Sequence, residues 1–433
     1  MNDTIPCYPL IGIGFGPSNI ALAIALREHG LDSLAHNALF IERQPEFAWH
    51  KSMMLDNTHM QISFLKDLVT IRNPKSNFTF INYLHQKNRL NDFINLQTFF
   101  PSRQEFNDYL AWAASHFESQ THYDEHVFDI KPITEANCVV ALEVYSRDSK
   151  GKERVNHTKN LVFGIGGGGY IPTQFKKFIH DQRIFHSSEY LTAMKDNTTA
   201  KRVAVIGAGQ SAAEIFMNLH GRSSEHNIDF IIRANSIKPS DDSPFVNEIF
   251  NPDFTDQIFA KTELERQTFL KEYRQTNYAC PDLPLIEEIY NVFYQQKVRQ
   301  QQRHNLRVST EIHAVNTDEQ GIHLTLLNRQ NGELKVCSYD AVILATGYVR
   351  DQHKEILAPL AKYLGDFSVD RHYRINTTAE FKPNIFLQGA CESTHGLSDT
   401  LLSILAVRSQ EIGHALQSAK SKNIATQDYA LIE

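Results

Sequence analysis

Two glycine-rich turns are the residues of this sequence with the clearest potential for chemistry. Gly12, Gly14 and Gly16 follow one short apolar segment, and Gly207 and Gly209 follow another. Glycines at this spacing let the backbone approach the pyrophosphate of a dinucleotide at the N-terminus of the next helix. The sequence therefore predicts two dinucleotide-binding sites.

The charged residue that ends the second strand of each unit indicates which dinucleotide binds there. Glu42 ends the first unit and is placed to hold ribose hydroxyls, whereas Arg233 ends the second. An acid would repel a 2′-phosphate, and an arginine pairs with it. The alternative is that Arg233 is a solvated charge at a strand end. Taken together, the two units predict FAD at the first turn and NADPH at the second.

The first turn departs from the usual dinucleotide pattern. Pro17 stands where the third glycine is expected, while Ala212 supplies the third small residue of the second turn. We expect the first turn to differ in detail from the standard one.

The elements around these turns predict an α/β fold with two Rossmann-like dinucleotide-binding domains and a small helical substrate-binding insertion. Apolar segments before each turn indicate strands, and Ala/Leu-rich segments after them indicate helices. The insertion is rich in Phe, Tyr, Asn and Gln with helical spacing, and the glycine run at 166–169 suits a crossing between domains. The predicted boundaries are 1–172 and 336–433 for the FAD-binding domain, 195–238 and 305–335 for the NADPH-binding domain, and 239–304 for the insertion.

Composition and charge exclude several classes of protein. The 433 residues are 42% hydrophobic, and 43 Lys+Arg against 50 Asp+Glu give a net charge of -7 without a basic block, which argues against a nucleic-acid partner. No apolar run approaches the roughly 18 residues of a membrane span. The five cysteines are dispersed and form no CxxC pair, which favours reduced thiols in a cytoplasmic protein.

Other chemistries lack their motifs. A disulfide reductase needs paired cysteines, which stand beside neither turn. The 20 histidines show no HExxH or Cys/His ligand spacing, so no metal is predicted, and no GxSxG elbow indicates a serine hydrolase. Dioxygen is then the expected oxidant of a reduced flavin.

The chain resembles the flavin-dependent N-hydroxylating monooxygenases, the ornithine and lysine N-hydroxylases of siderophore biosynthesis, over nearly its whole length. The first turn with Pro17 is usual in that family. The motifs that carry the resemblance are GFGPSN (14–19), FAWH (47–50), MQISFLKDL (60–68), PSRQEF (101–106), GAGQSAAEIF (207–216), DDSPFVNEIFNPDFTD (241–256), TNYA (276–279), ATGY (345–348) and HGLSDTLLS (395–403).

The resemblance implies a role for particular residues. For FAD they are Gly12, Gly14, Gly16, Pro17, Ser18, Glu42, Trp49, His50, Gln61 and Gly347. For NADPH they are Gly207, Gly209, Gln210, Ser211, Arg233 and Arg103, the last beside the nicotinamide. For the substrate they are Lys66, which pairs with a carboxylate, Asn251, which holds the amino-acid head group, and Asn277, whose backbone carbonyl meets the reacting amine. Gln61, Asn277 and Ser398 are the residues expected to support catalysis.

The resemblance also implies the reaction. A C4a-hydroperoxyflavin gives its distal oxygen to a neutral amine, so no catalytic side chain is strictly required and orientation supplies much of the rate. L-Ornithine is the first expected substrate because a buried Lys66 needs an anion. L-Lysine and the decarboxylated amines putrescine, cadaverine and histamine stay open, since Lys66 could pair instead with Asp67, and Asn251 before a proline could be a turn residue.

Two rival functions share the nucleotide sites. A flavin monooxygenase acting on ketones or sulfides would give no hydroxylamine, and an NADPH oxidase would release peroxide whatever amine is added. Relatives in the family often form tetramers, so a homotetramer is the oligomeric state that the resemblance suggests.

Overall fold

The computed structural model describes residues 5–277 and 279–429, which form nineteen strands and fifteen α-helices. The strands are β1 Cys7–Tyr8, β2 Ile11–Ile13, β3 Leu39–Ile41, β4 Thr121–His122, β5 Glu125–Glu135, β6 Cys138–Asp148, β7 Glu153–Thr158, β8 Asn160–Phe163, β9 Gly168–Gly169, β10 Ile184–His186, β11 Arg202–Ile206, β12 Asn227–Ile231, β13 Asn305–Arg307, β14 Thr310–Asp318, β15 Gly321–Asn328, β16 Leu334–Tyr339, β17 Ala341–Leu344, β18 Tyr348–Val349 and β19 Asn384–Leu387.

The helices follow the same chain order and include several short ones. They are α1 Pro17–Glu28, α2 Asp32–Asn37, α3 Phe80–Gln86, α4 Leu90–Asn95, α5 Arg103–Ser115, α6 Tyr190–Asp196, α7 Gln210–Arg222, α8 Pro244–Asn247, α9 Phe254–Phe259, α10 Glu263–Glu272, α11 Leu283–Arg299, α12 Gln352–Ile356, α13 Ala361–Leu364, α14 Glu392–His395 and α15 Leu405–Tyr429.

The first lobe is built on a parallel sheet with strand order β19-β8-β2-β3-β4. Its central strand β2 is short, apolar and fully buried, as expected for a parallel strand covered on both faces. Helix α1 follows β2 directly, and its run from Asn19 to Leu26 is buried. Helix α15, from the far end of the chain, packs against α1. The N- and C-terminal parts of the chain therefore share one lobe.

The second lobe is a parallel sheet with strand order β10-β17-β11-β12-β13, and α7 follows β11 as α1 follows β2. The prediction of an α/β fold with two Rossmann-like domains is thereby confirmed. One predicted boundary differs from the structure. The sequence predicts that residues 336–433 belong to the first lobe, but β17 pairs with β11 in the second. A buried apolar strand carries no signal for the sheet it joins, which explains the difference.

The chain crosses between the lobes at the glycine run. Strand β9 pairs antiparallel with β18, so that Gly169 lies opposite Tyr348 and Gly168 opposite Val349. A Cβ atom on Gly169 would come within 2.5 Å of the His186 ring. Glycine at 169 therefore leaves room for the His186 ring of β10 beside the crossing segment.

Two antiparallel sheets flank the lobes. Strands β5, β6 and β7 form a meander, with β1 added in parallel at its edge, and β14, β15 and β16 form a second meander.

Helices α8 to α11 form the insertion, which is fixed to both lobes. The Arg371 guanidinium contacts Asp256 in α9, at 2.5 Å, and Glu411 in α15, at 2.9 Å. On the other side, Phe293 of α11 stacks on Phe216 of α7, with ring centroids 5.4 Å apart. The insertion therefore contacts the first lobe through Arg371 and the nucleotide helix α7 of the second lobe.

Within the part of the chain that the structure describes, no helix combines the length and apolar character needed to cross a membrane. All five cysteines are present as free thiols.

Candidate active site

The first glycine turn has the shape that a dinucleotide pyrophosphate needs. Gly14 has φ +80°, and a Cβ atom there would lie 2.7 Å from the Gly164 carbonyl oxygen. Gly16 is the N-cap of α1, and a Cβ atom there would meet nothing within 4 Å, so open space lies before the helix N-terminus. Pro17 is the first residue of the helix, where its missing N–H costs nothing. The departure from the usual pattern is thus compatible with anion binding.

Glu42 lies just beyond β3, where the sequence placed it, and it also supports the turn. One carboxylate oxygen accepts from the Phe15 backbone N–H at 2.7 Å, and the other accepts from the Gln44 N–H at 2.9 Å. Each oxygen keeps a further lone pair for a ligand hydroxyl.

The second turn repeats this architecture with a tighter first glycine. Gly207 has φ +146°, and a Cβ atom there would lie 2.1 Å from the Ala345 carbonyl oxygen, directly after β17. Gly209 is the N-cap of α7, and Gln210 and Ser211 are the first two residues of that helix. Four of the residues predicted to take NADPH, Gly207, Gly209, Gln210 and Ser211, therefore lie at or just before one helix N-terminus.

Arg233 lies two residues beyond β12 and is exposed. Among the described residues, no hydrogen bond or ion pair engages its guanidinium, although its backbone carbonyl accepts from Arg329 at 3.4 Å. This arrangement suits a guanidinium that pairs with a ligand phosphate.

The guanidinium of Arg103, which is predicted to lie beside the nicotinamide, is already paired with a protein carboxylate. It makes a bidentate ion pair with Glu214 of α7, at 2.7 and 2.9 Å, and also donates to the Met53 carbonyl at 3.1 Å. The Arg103 and Glu214 side chains are only 14% and 4% exposed. The pair therefore joins the first lobe to the nucleotide helix of the second.

Gln210 and Gln61 converge on one carboxylate from the insertion. The Gln210 side-chain amide donates to Asp282 at 3.0 Å and to Glu214 at 2.9 Å, and its oxygen accepts from the Asp282 backbone N–H at 3.0 Å. Gln61 donates to the other Asp282 oxygen at 2.9 Å. Gln210 thus faces protein groups, and its side chain holds the site together.

Two of the residues predicted to line the flavin, Trp49 and His50, pack together on the first lobe. The rings of Trp49 and His50 are 4.8 Å apart, and Trp49 also packs against Phe106. Gly347 has φ +88°, and its carbonyl accepts from the Tyr170 N–H at 2.8 Å at the crossing between lobes.

Lys66 is the most informative of the predicted substrate residues. Its side chain is half-buried, and burial lowers the pKa of its ammonium group. Among the described residues, no hydrogen bond or ion pair engages that group. Asp67, the alternative partner, is buried and accepts from the backbone N–H groups of Val69, Thr70 and Phe80 and from the Thr70 hydroxyl. The structure therefore does not pair Lys66 with Asp67.

Asn251 and Ser398 lie on segments that pack against each other. Asn251 follows the 3-10 helix Glu248–Phe250, whose Phe250 packs in one cluster with Leu397, next to the buried Ser398. The Asn251 backbone accepts from Phe254 in a turn, as the alternative reading expected, while its side chain is exposed.

Asn277 lies in a turn before α11. Its backbone carbonyl accepts from the Cys280 N–H at 2.9 Å, and its side chain accepts from the Ala279 N–H at 3.1 Å. The carbonyl retains a second lone pair. The neighbouring Tyr278 of the TNYA motif lies outside the described residues.

Several residues that hold the site in place carry no role predicted from the sequence. Glu214 and Asp282 join the predicted side chains, Asn19 donates to the Gly14 carbonyl at 2.6 Å, and a buried Asp399–Arg408 pair at 2.9 Å reaches the Ser18 hydroxyl. Of these residues, Glu214 could have been found from the sequence, because an acidic residue inside a run of apolar helix residues needs a buried partner of opposite charge.

Comparison with known proteins agrees with this geometry. The family model for L-lysine 6-monooxygenase/L-ornithine 5-monooxygenase matches residues 6–350. An L-ornithine N(5)-monooxygenase from Pseudomonas aeruginosa is 49% identical over 417 residues, covering 95% of this chain and 94% of the relative.

Solved structures give the same result. The ornithine hydroxylase PvdA from Pseudomonas aeruginosa superposes with a TM-score of 0.92 at 49% identity, over 95% of this chain and 99% of that one. An ornithine N-hydroxylase from Kutzneria sp. 744, solved with reduced FAD, NADP⁺ and L-ornithine, has a TM-score of 0.90 at 34% identity, over 96% and 100% of the two chains. The chain therefore belongs to the L-lysine 6-monooxygenase/L-ornithine 5-monooxygenase family.

Proposed function

We propose that this chain is an FAD- and NADPH-dependent monooxygenase that uses O2 to hydroxylate the side-chain amine of L-ornithine. The observation that carries the proposal is the Lys66 ammonium. Burial disfavours the charged form of the Lys66 side chain, and a substrate carboxylate beside it would favour that charged form. The product is the N-hydroxylated amino acid that hydroxamate siderophores require, which is the pathway implied by the resemblance.

The two cofactors fit the two turns. FAD would lie at the N-terminus of α1, with Glu42 at its ribose, and NADPH would lie at the N-terminus of α7, with Arg233 at its 2′-phosphate. When bound, the reduced flavin with O2 supplies the oxygen atom that the amine receives.

The residues of the chain would bind and orient the amine. Lys66 would hold the carboxylate at one end of the substrate, and the Asn277 carbonyl would accept a hydrogen bond from the amine at the other through its second lone pair. The amine must be neutral to react, and the N–H of the neutral amine can still donate to a carbonyl, although an ammonium N–H donates more strongly. Positioning then accounts for the contribution of the protein.

The choice of ornithine rests on charge and length. Putrescine, cadaverine and histamine lack a carboxylate and would leave Lys66 without an anion. L-Lysine keeps the carboxylate but is longer by one methylene, which changes binding by about 1–3 kcal/mol in a fitted pocket.

The test is hydroxylamine formation by the purified protein with FAD, NADPH and O2, compared across ornithine, lysine, putrescine, cadaverine and histamine. We expect ornithine to give the highest kcat/KM. Product only from a decarboxylated amine would contradict the role of Lys66. NADPH consumption with peroxide and without hydroxylamine from any amine would contradict the proposal and favour an NADPH oxidase or a ketone or sulfide monooxygenase.

The variant Lys66→Met tests directly whether Lys66 binds the substrate carboxylate. The ornithine KM should rise at least tenfold, since a charge-assisted contact is worth about 1.5–3 kcal/mol, while flavin reduction by NADPH is unchanged. Lys75→Met, an exposed lysine of the same lobe, is the matched control and should leave both values unchanged. An unchanged ornithine KM in Lys66→Met would remove Lys66 from the site.

A cytoplasmic location and a homotetramer both stay predictions. Free cysteines and the use of NADPH support the first, and the resemblance supports the second.

A further inference from the structure

Asp282 lies where a helix cap is expected but makes different contacts. It is the N-cap residue of α11, the position at which aspartate commonly accepts from the first backbone N–H groups of the helix. Here the side chain makes no cap hydrogen bond. Its two oxygens instead accept from Gln61 of the first lobe, at 2.9 Å, and from Gln210 of the second, at 3.0 Å.

These contacts fix the orientation of Gln210. Both amide hydrogens face carboxylates, those of Asp282 and Glu214, and the amide oxygen faces the Asp282 backbone N–H. A flipped amide would place its oxygen against both carboxylates and its NH2 group against an N–H donor. The hydrogen-bond pattern therefore specifies one orientation at the first position of α7.

Asp282 also ends the segment that carries the proposed substrate contact. Asn277 precedes Asp282 by five residues. Two backbone hydrogen bonds fix this part of the chain: the Cys280 N–H donates to the Asn277 carbonyl, and the Ser240 N–H donates to the Pro281 carbonyl. One carboxylate thus connects the Asn277 segment, the N-terminus of the NADPH helix and the segment from Gln61 towards Lys66.

We propose that Asp282 is a positioning residue that couples NADPH oxidation to amine hydroxylation. This inference rests on the proposed function. The coupled reaction is RNH2 + O2 + NADPH + H⁺ → RNHOH + H2O + NADP⁺. Without Asp282, the amine and the cofactor helix lose their common anchor, and the amine is held less well in the reactive position. The uncoupled reaction, NADPH + H⁺ + O2 → NADP⁺ + H2O2, then takes a larger share.

The test uses the FAD-loaded enzyme and measures hydroxylamine and peroxide formed per NADPH. For Asp282→Ala we expect the ratio of hydroxylamine to NADPH to fall several-fold and the ornithine KM to rise, while the rate of NADPH oxidation changes less. Asp282→Asn keeps one acceptor and should recover part of the coupling. Glu263→Ala is the matched control, because Glu263 is an exposed acid at the start of α10 that accepts from Gln267 of the same helix.

A double variant separates positioning from a general loss of structure. If Asp282 acts through Gln210, then Asp282→Ala combined with Gln210→Ala should be no less coupled than Asp282→Ala alone. Wild-type coupling in FAD-loaded Asp282→Ala, or additive losses in the double variant, would overturn the inference. Wild-type enzyme that forms no hydroxylamine from ornithine would instead overturn the proposed function, and the coupling role with it.

Discussion

At the scale of single residues, the site depends on which charges have protein partners and which do not. Glu214 binds Arg103 through a bidentate ion pair, and the Asp67 carboxylate accepts four hydrogen bonds. Lys66 and Arg233 have no such partners among the described residues. The side chains of Lys66 and Arg233 are therefore available to bind the anionic groups of a ligand.

Arg233 gives a prediction about cofactor choice. Arg233→Ala should raise the KM for NADPH about tenfold or more, because a charge-assisted contact with the 2′-phosphate is worth roughly 1.5 kcal/mol or more. The KM for NADH, which lacks that phosphate, should stay the same and serves as the internal control. An equal rise for both cofactors would show that Arg233 does not read the phosphate.

At the scale of elements, the two glycine turns are alike in pattern but differ in what each glycine does. Gly207 faces the Ala345 carbonyl in a backbone conformation that favours glycine, whereas Gly16 has an ordinary conformation and faces open space. Gly207 is thus required by packing, whereas we propose that Gly16 is required by the space that a dinucleotide needs.

Alanine substitutions should separate these two requirements. Gly207→Ala should destabilise the fold by several kcal/mol, because the methyl group meets backbone 2.1 Å away. Gly16→Ala should fold with a Tm near that of the wild type but retain less FAD, measured as absorbance at the flavin maximum per protein. A Tm of Gly207→Ala near that of the wild type, or full FAD content in Gly16→Ala, would contradict these assignments.

The sequence predicted well the features that are local along the chain. A strand, a glycine turn and a helix occupy neighbouring positions, so the site of each dinucleotide turn follows from residues 11–28 or 202–222 alone. The contacts of Asp282 with Gln61 and Gln210 join residues far apart in sequence, and no local pattern contains them. The same holds for β17, whose apolar pattern fits either sheet.

At the scale of the whole molecule, buried histidines should set the response to acid. Burial lowers the pKa of His353 and of His395 to about 4, and the pKa of His304 to about 3, against about 6.5 for a histidine in the unfolded chain. At a pH between these folded-state pKa values and about 6.5, the unfolded state therefore binds more protons than the folded state. Stability is retained above about pH 6.5 and is lost as the pH falls towards 4.

The Tm should consequently fall between pH 7.5 and pH 5.5, with each of these histidines contributing about 1 kcal/mol. Replacing one of them, as in His353→Gln, should reduce the slope of stability against pH even if it lowers stability overall. Urea unfolding at several pH values measures both quantities. A slope unchanged in His353→Gln would show that this histidine does not carry the effect.

The pairing of β9 with β18 has a consequence for how the molecule is assembled. Because Gly169 lies opposite Tyr348 and Gly168 opposite Val349, the two strands have the geometry of a hairpin whose loop is residues 170–347. The second lobe and the helical insertion are thus together a single insert at the tip of that hairpin. During synthesis, the first lobe must wait for the whole insert to emerge before β19 can complete its sheet and α15 can cover α1.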